Sequence, residues 1–472
     1  MRTVPQVASW QLRADFAQRM AATYGREVPA YNTLVNVAGE VNSDVLARDG
    51  ASAERLGSIT RVTAERHGAI RVGTPAELRD VARVFGALGM LAVGFYDLRD
   101  AARSAVPVIS TAFRPIDAGE LARNPFRMFT SMLVTDDRRF FSAPLQARLD
   151  AFLARRTLFP AELITLSDKA IATGGLGGDD AERFLMLATT AFTLSAEPVD
   201  RAWYAELETV SAVAADIGGV GSTHINHLTP RVLDIDELYL RMSARGITMI
   251  DAIHGPPRWA GPDVLLRQTS FRALAERRLF RDASGVVAPG SVRVRFGEVE
   301  ARGIALTPAG RDRYDAMTAE VDRVLADSPG TNRAEVTGQI WAQHLPSSEL
   351  GLLCDGLGFF TYSVADASAA IPGSDVAALV EAGALSATPI VYEDFLPRSA
   401  AGIFQSNLTA EATLDSAQQG TRRTPAGSRT CSARRSPSRQ SSTPRSSRRP
   451  STPSQPTSAP SSRSPKPPFP RW

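Results

Sequence analysis

Only five histidines occur in the 472 residues, His67, His224, His227, His254 and His344, and the sole cysteines are Cys354 and Cys431. Two cysteines are too few for a thiolate metal site or a disulfide framework, so a metal held by this chain relies on imidazole and carboxylate. Three segments concentrate the candidates. In ERHGAIRVG, alternation along an extended strand places His67, Ala69 and Arg71 on one face, with Gly68, Ile70 and Val72 on the other. The Cα atoms of His67 and Arg71 then lie about 13 Å apart, a span that two inward-leaning side chains close around a small dicarboxylate. As ordinary structure the same pair is an edge-strand histidine and a salt-bridged surface arginine, and taken alone that reading is the better one.

In STHINHLTPRVLDIDEL, Pro230 and the glycines upstream argue against an uninterrupted helix, so His224 and His227 sit on extended chain and point to opposite faces. At most one of them is a ligand of a given metal, and the other is an outer partner or a satisfied structural histidine. In VRVRFGEVEARG, Phe296, Glu298 and Glu300 share one face of a strand, two carboxylates where a core strand alternates apolar residues. Burying either one requires a cation; on a solvent-facing strand the same acids lie beside Arg295 and Arg302. The pattern does not choose between Glu298 and Glu300. Two histidines and one carboxylate on three strands leave an iron(II) ion three adjacent open positions, enough for a bidentate 2-oxo acid and O2. Zinc binds similar donors but has no redox role, and serves only Lewis-acid or hydrolytic steps.

The elements that position these residues are read from periodicity. Residues 8–24 and 33–48 show helical spacing and form an N-terminal helical pair. GAIRVG is a strand, VARVFGALGMLAVGFYDLRD a helix, turn and strand, and VPVISTAFRPI a further β-branched run closing on proline. From about Ala143 to Ala215 the pattern is almost wholly helical, with Gly and Pro stops, and reads as a helical insertion. Strand-like pieces return at HINHLTPRVL, ITMIDAI, VLLRQTSF and VRVRFGEVEARGIALT, followed by helices near 309–326 and 333–344. No repeat of fixed period is evident. The fold class expected is α+β, with residues 1–410 forming one catalytic domain.

Composition bounds the rest. The chain is 43% hydrophobic and 22% charged, enough for a large core, and no stretch of eighteen apolar residues or signal-peptide pattern appears. A cytoplasmic protein is expected, with no membrane partner. Residues 411–472 are rich in Ser, Pro, Arg and Thr and are expected to be a disordered tail. From Thr421 to Trp472 there are twelve Lys and Arg and no acid; with a formal charge of +3 overall, the chain before it carries about −9. The globular part is thus acidic, and nucleic acid is an unlikely partner: the tail has almost no aromatic residue before Phe469 on which bases would stack.

At these segments the sequence resembles a known family. The strings EVPAYNTLVNVAGEVN, ERHGAIRVGT, STAFRPIDAGELARNPFRMFTSML, HINHLTPRVLDID, LLRQTSF, RFGEVEARGIALTPAGR and YEDFLPRSAAGIFQSNL are similar to the 2-oxoadipate dioxygenase/decarboxylase (hydroxyglutarate synthase) family, over about residues 10 to 408. The resemblance implies a vicinal oxygen chelate-like β core, in which paired βαβββ units surround a metal. It implies Fe(2+) held by His67, His227 and Glu298, choosing the second histidine and the first glutamate, and it implies that Arg71 binds a substrate carboxylate. It further implies that 2-oxoadipate and O2 are converted to 2-hydroxyglutarate and CO2, a late step in lysine breakdown. The sequence departs from the family pattern at three places. His254 stands where a Glu usually precedes Gly-Pro-Pro, Arg398 replaces a small aliphatic residue near the substrate, and the tail replaces a helical ending. Arg398 is expected to add a second carboxylate contact, or else to obstruct the site. Two rival functions are a glyoxalase-like isomerase or lyase using zinc or nickel, and a binding protein whose basic tail engages nucleic acid.

Overall fold

The structure is a computed structural model, and it describes residues 6–63, 67–100, 105–328, 330–369, 373, 375–396, 403 and 407. The tail read as disordered, and Arg398, lie outside the described residues.

Helices α1 (Ser9–Glu27) and α2 (Pro29–Asp49) form the expected N-terminal pair. Phe16 of α1 meets the rings of Phe85, Phe126 and Phe192 at 5.9–6.5 Å, which fastens the helix over the first sheet. Strand β1 (His67–Val72) follows, then helix α3 (Pro75–Ala87) and strands β2 (Leu91–Asp97), β3 (Val108–Arg114) and β4 (Arg127–Leu133). The start of α3 is set locally: the Thr74 hydroxyl accepts from the Glu77 amide, Glu77 reaches back, and Pro75 occupies the first turn. In the sheet, β1 pairs parallel with β4, β4 antiparallel with β3, and β3 antiparallel with β2. This is a βαβββ unit with spatial order first, fourth, third, second.

A second unit repeats that order. Strand β5 (His227–Thr229) leads into a helix and then into an extended segment. After α4 (Ala212–Gly218), which ends the helical stretch, come β5, α5 (Ile235–Ala244), strand β6 (Leu266–Ser270) and strand β7 (Glu298–Arg302). A parallel bridge joins Arg231 to Glu300, β7 pairs antiparallel with β6, and β6 is flanked by antiparallel bridges from Met249 to Phe271 and His254 to Gln268. The two units meet through their first strands, since β1 and β5 run antiparallel with Ala69 opposite His227. The paired βαβββ core of the α+β fold is therefore present.

The stretch read as a helical insertion lies between the two units in sequence, with helices over Ala143–Leu153, Ala161–Thr173, Gly178–Ala191 and Arg201–Glu208 before α4. The expected C-terminal helices span Pro308–Asp327 and Arg333–His344. ITMIDAI forms one isolated bridge, at Met249, rather than a ladder strand, and after the next bridge at His254 the chain meets Gly255, Pro256 and Pro257, where proline supplies no amide donor. Among the described residues no helix is long and apolar enough to cross a membrane.

Candidate metal centre

Both β1 and β4 are buried along their whole length, so β1 presents a side-chain row to each of two cores. Ile70 and Val72 enter one core, while Ala69 packs with Tyr96 and Phe129 in the other, as strict alternation requires. His67 shares the Ala69 face and meets a histidine from β5 and two glutamates from β7. Its Nε2 is 3.3 Å from Glu298 Oε1, and His227 Nε2 is 3.4 Å from Glu298 Oε2. One donor atom from each of His67, His227 and Glu298 lies within 4.8 Å of the other two, and all three residues are buried. Among the described residues this is the group of histidine, cysteine and carboxylate side chains that is spaced to hold a metal ion. The two imidazoles cross at 86° with centroids 5.6 Å apart. Phe395 packs edge-on against His67 at 4.9 Å, and Phe296 lies 5.0 Å from His227, so each ring is wedged in place by an aromatic neighbour.

Outside this group the other nitrogen of His67 is also engaged. His67 Nδ1 is 3.0 Å from Glu300 Oε2, and Glu300 is gripped by Arg302 through two bonds of 2.6 and 2.8 Å. Arg302 in turn donates to the carbonyls of Tyr392 and Asp394. A carboxylate on the far nitrogen fixes which imidazole nitrogen faces the metal and makes it a better donor. Gln268 of β6 donates to Glu298 Oε1. The ambiguity between the two glutamates thus resolves into a division of labour: Glu298 faces the cluster and Glu300 backs it.

The electrostatics fit a cation. Burial pushes the Glu298 carboxyl above its usual range, with the Glu300 charge adding to it and His67 opposing. Burial holds His227 well below the usual imidazole value, helped by the positive charges of His67 and Arg71, so its lone pair is available. Burial also works against protonation of His67, but the charges of Glu300 and Glu298 outweigh it and the net shift is upward. Glu300 is held well below the carboxylate range because Arg302 and His67 overcome its burial. Two imidazoles and a carboxylate packed this closely away from water suit a divalent cation, whose charge would offset that of the buried carboxylate.

Arg71 lies on the His67 face, and its Nη1 is 2.5 Å from Asp216 Oδ2. His224 does not join the cluster: its Nε2 is 3.3 Å from Asp216 Oδ1, so the two histidines of HINH do turn apart. His254 is bonded through its backbone to Gln268, and the exposed His344 pairs with Glu320 at 3.2 Å. Sequence reasoning passed over Gln268, Phe395 and Asp216. The first two carry no local signal, but Asp216 does: it is the single ionisable residue in the apolar helix AVAADIG.

Comparison with known proteins agrees with this architecture. The family model for 2-oxoadipate dioxygenase/decarboxylase matches residues 16–407. A 2-oxoadipate dioxygenase/decarboxylase of Mycobacterium tuberculosis is 58% identical over 402 residues, covering 85% of this chain and 88% of that protein. The protein of that name from Escherichia coli is 41% identical over 414 residues, covering 85% and 89%. Among solved structures, the hydroxyglutarate synthase of Pseudomonas putida in complex with 2-oxoadipate superposes with a TM-score of 0.75 at 38% identity, covering 85% of this chain and 90% of that one. With most of its length matched at such identities, the chain belongs to the 2-oxoadipate dioxygenase/decarboxylase family.

Proposed function

We propose that this chain is a cytoplasmic iron(II) enzyme that converts 2-oxoadipate and O2 to 2-hydroxyglutarate and CO2, in lysine breakdown, with His67, His227 and Glu298 as the metal ligands. The observation that carries the reading is the buried His67, His227 and Glu298 cluster, whose donors all lie within 4.8 Å of one another. Family membership supports the reaction class, and the 2-oxoadipate complex of the Pseudomonas putida relative supports the substrate. Iron(II) bound by this donor set supplies open coordination positions and the redox capacity that zinc lacks. The remaining work falls to the protein: Glu300 and Gln268 hold the ligands in orientation, Phe296 and Phe395 keep the rings apart from water, and Arg71 pairs with the carboxylate remote from the metal. Arg398 is proposed as a second contact to that carboxylate.

The test is anaerobic loading with iron(II) followed by exposure to O2 and 2-oxoadipate. Equal amounts of O2 consumed and CO2 released, with 2-hydroxyglutarate formed, are expected, and a zinc-loaded sample is expected to consume none. Rearrangement or hydrolysis of substrate without O2 uptake would sink the dioxygenase reading. Arg71→Gln tests the substrate's orientation. It is expected to lower kcat/KM for 2-oxoadipate roughly ten- to a hundredfold, the value of a charge-assisted pair in a desolvated site, and to leave 2-oxohexanoate, which lacks the distal charge, nearly unchanged. Equal losses on both substrates would place Arg71 elsewhere.

A further inference from the structure

The region between the two βαβββ units sends a carboxylate back to β1. Asp216 sits on α4, where Val213, Ala214, Ala215 and Ile217 are all buried, and is itself 4% exposed. An acid at such a position is costly unless its oxygens are occupied. They are: Oδ2 accepts from Arg71 Nη1 at 2.5 Å and from Asn226 Nδ2 at 3.0 Å, and Oδ1 lies 3.3 Å from His224 Nε2. The partners are tethered in turn. Tyr24 of α1 donates to the Asn226 carbonyl at 3.0 Å and to that of Phe296 at 2.8 Å, and the Thr223 hydroxyl donates to the Arg71 carbonyl at 2.7 Å. The carboxylate is therefore immobile, and its charge is secure: burial opposes ionisation, but His224 and Arg71 hold the group well below the usual carboxylate range.

We infer that Asp216 is the positioning residue for Arg71 and thereby sets the preference for 2-oxo acids that carry a distal carboxylate. The inference rests on the reading of Arg71 given above. Asp216 holds the planar guanidinium at Nη1, so this contact fixes the orientation of the group. A long arginine side chain left unanchored must be ordered when substrate arrives, and that cost appears in binding rather than in the chemical step. The same network explains His224, which the metal cluster does not use: with Asn226 it fixes the carboxylate that fixes the arginine.

The experiment compares wild type, Asp216→Asn, Arg71→Gln and the double variant, each loaded with iron(II), on 2-oxoadipate and 2-oxohexanoate. Asp216→Asn keeps the shape and removes the charge. It is expected to raise KM for 2-oxoadipate about tenfold with little change in kcat, to leave 2-oxohexanoate unaffected, and to retain iron. In the Arg71→Gln background it is expected to add no further loss, since it acts through Arg71. An unchanged KM, a fall in KM of the kind a competing carboxylate would produce, equal losses on both substrates, or a fully additive double variant would each overturn the inference. If Arg71→Gln itself fails to discriminate the two substrates, the reading of Arg71 falls, and this inference with it. Asn226→Ala removes one donor to Asp216 and keeps the charge pair. It carries the comparison if Asp216→Asn does not fold, with a smaller rise in the same KM expected and no rise overturning the inference.

Discussion

At the scale of single residues, the centre depends on His67 being engaged from both sides. Glu298 lies 3.3 Å from Nε2 and Glu300 lies 3.0 Å from Nδ1. Glu300 approaches His67 at Nδ1, on the side away from Glu298, so its effect on a bound ion would pass through the imidazole. Glu300→Gln keeps the volume but replaces a charged acceptor with a neutral amide, and Arg302 loses its buried partner. Metal affinity is expected to fall roughly ten- to a hundredfold, measured by competition against a chelator, whereas Glu298→Ala is expected to abolish iron retention outright. Wild-type affinity in Glu300→Gln would show that the contact is structural only. Sequence alone left these two carboxylates equivalent because they share a strand face two residues apart. What separates them is that each meets a different nitrogen of His67, a tertiary fact.

At the scale of elements, β1 is the strand on which the site turns, and Gly68 shows how closely it is packed. A Cβ at that position would meet Met128 Sδ at 2.8 Å and the Leu228 side chain at 2.9 Å, from the strands on either side. Gly68→Val is expected to displace the Met128 and Leu228 side chains, to cost about 1–3 kcal/mol in a denaturant titration, and to weaken metal binding because the strain falls where β1, which carries His67, pairs with β5, which carries His227. Unchanged metal affinity in a destabilised variant would show that the site tolerates that displacement. The alternation along β1 was legible in the sequence because both of its faces are filled and register has no freedom. Strand β4 was not: RMFTSML is buried on both faces, so it has no polar alternation to mark it. The duplication of the βαβββ unit was hidden as well, since the long helical stretch separates the copies and the second strand of the later copy is cut short by Gly255, whose φ of +105° and close approach to the Leu266 carbonyl leave no room for a Cβ. One trace of it survives in sequence. Each first strand opens with histidine and carries arginine four residues on, as HGAIR and HLTPR. Arg231 is buried beside Glu300 and Arg302, at the opposite end of the paired strands from Arg71.

At the scale of the whole molecule, the candidate metal donors come from both units: His67 from the first strand of one, His227 and Glu298 from the first and last strands of the other. Neither unit contains the site, so the donors are assembled only when β1 and β5 are paired. An ion bound there stabilises the assembled state and not its separated halves. At a free iron(II) concentration about a hundred times its Kd, the stabilisation is about 2.7 kcal/mol by mass action. Under anaerobic conditions wild type is therefore expected to unfold at a higher denaturant concentration with iron(II) than without, through one shared transition, while Glu298→Ala shows no shift. The pattern that defeats this view is two separate transitions of which iron(II) moves one, because a single unit would then hold the ion alone. The Asp216 network adds a second tie, joining α4 to β1 through Arg71 and, through Asn226 and Tyr24, to α1. Its bonds run between protein side chains and need no ion. Residual cooperativity of the metal-free protein is thus expected to persist in Glu298→Ala, which separates the contribution of the ion from that of the buried charge network.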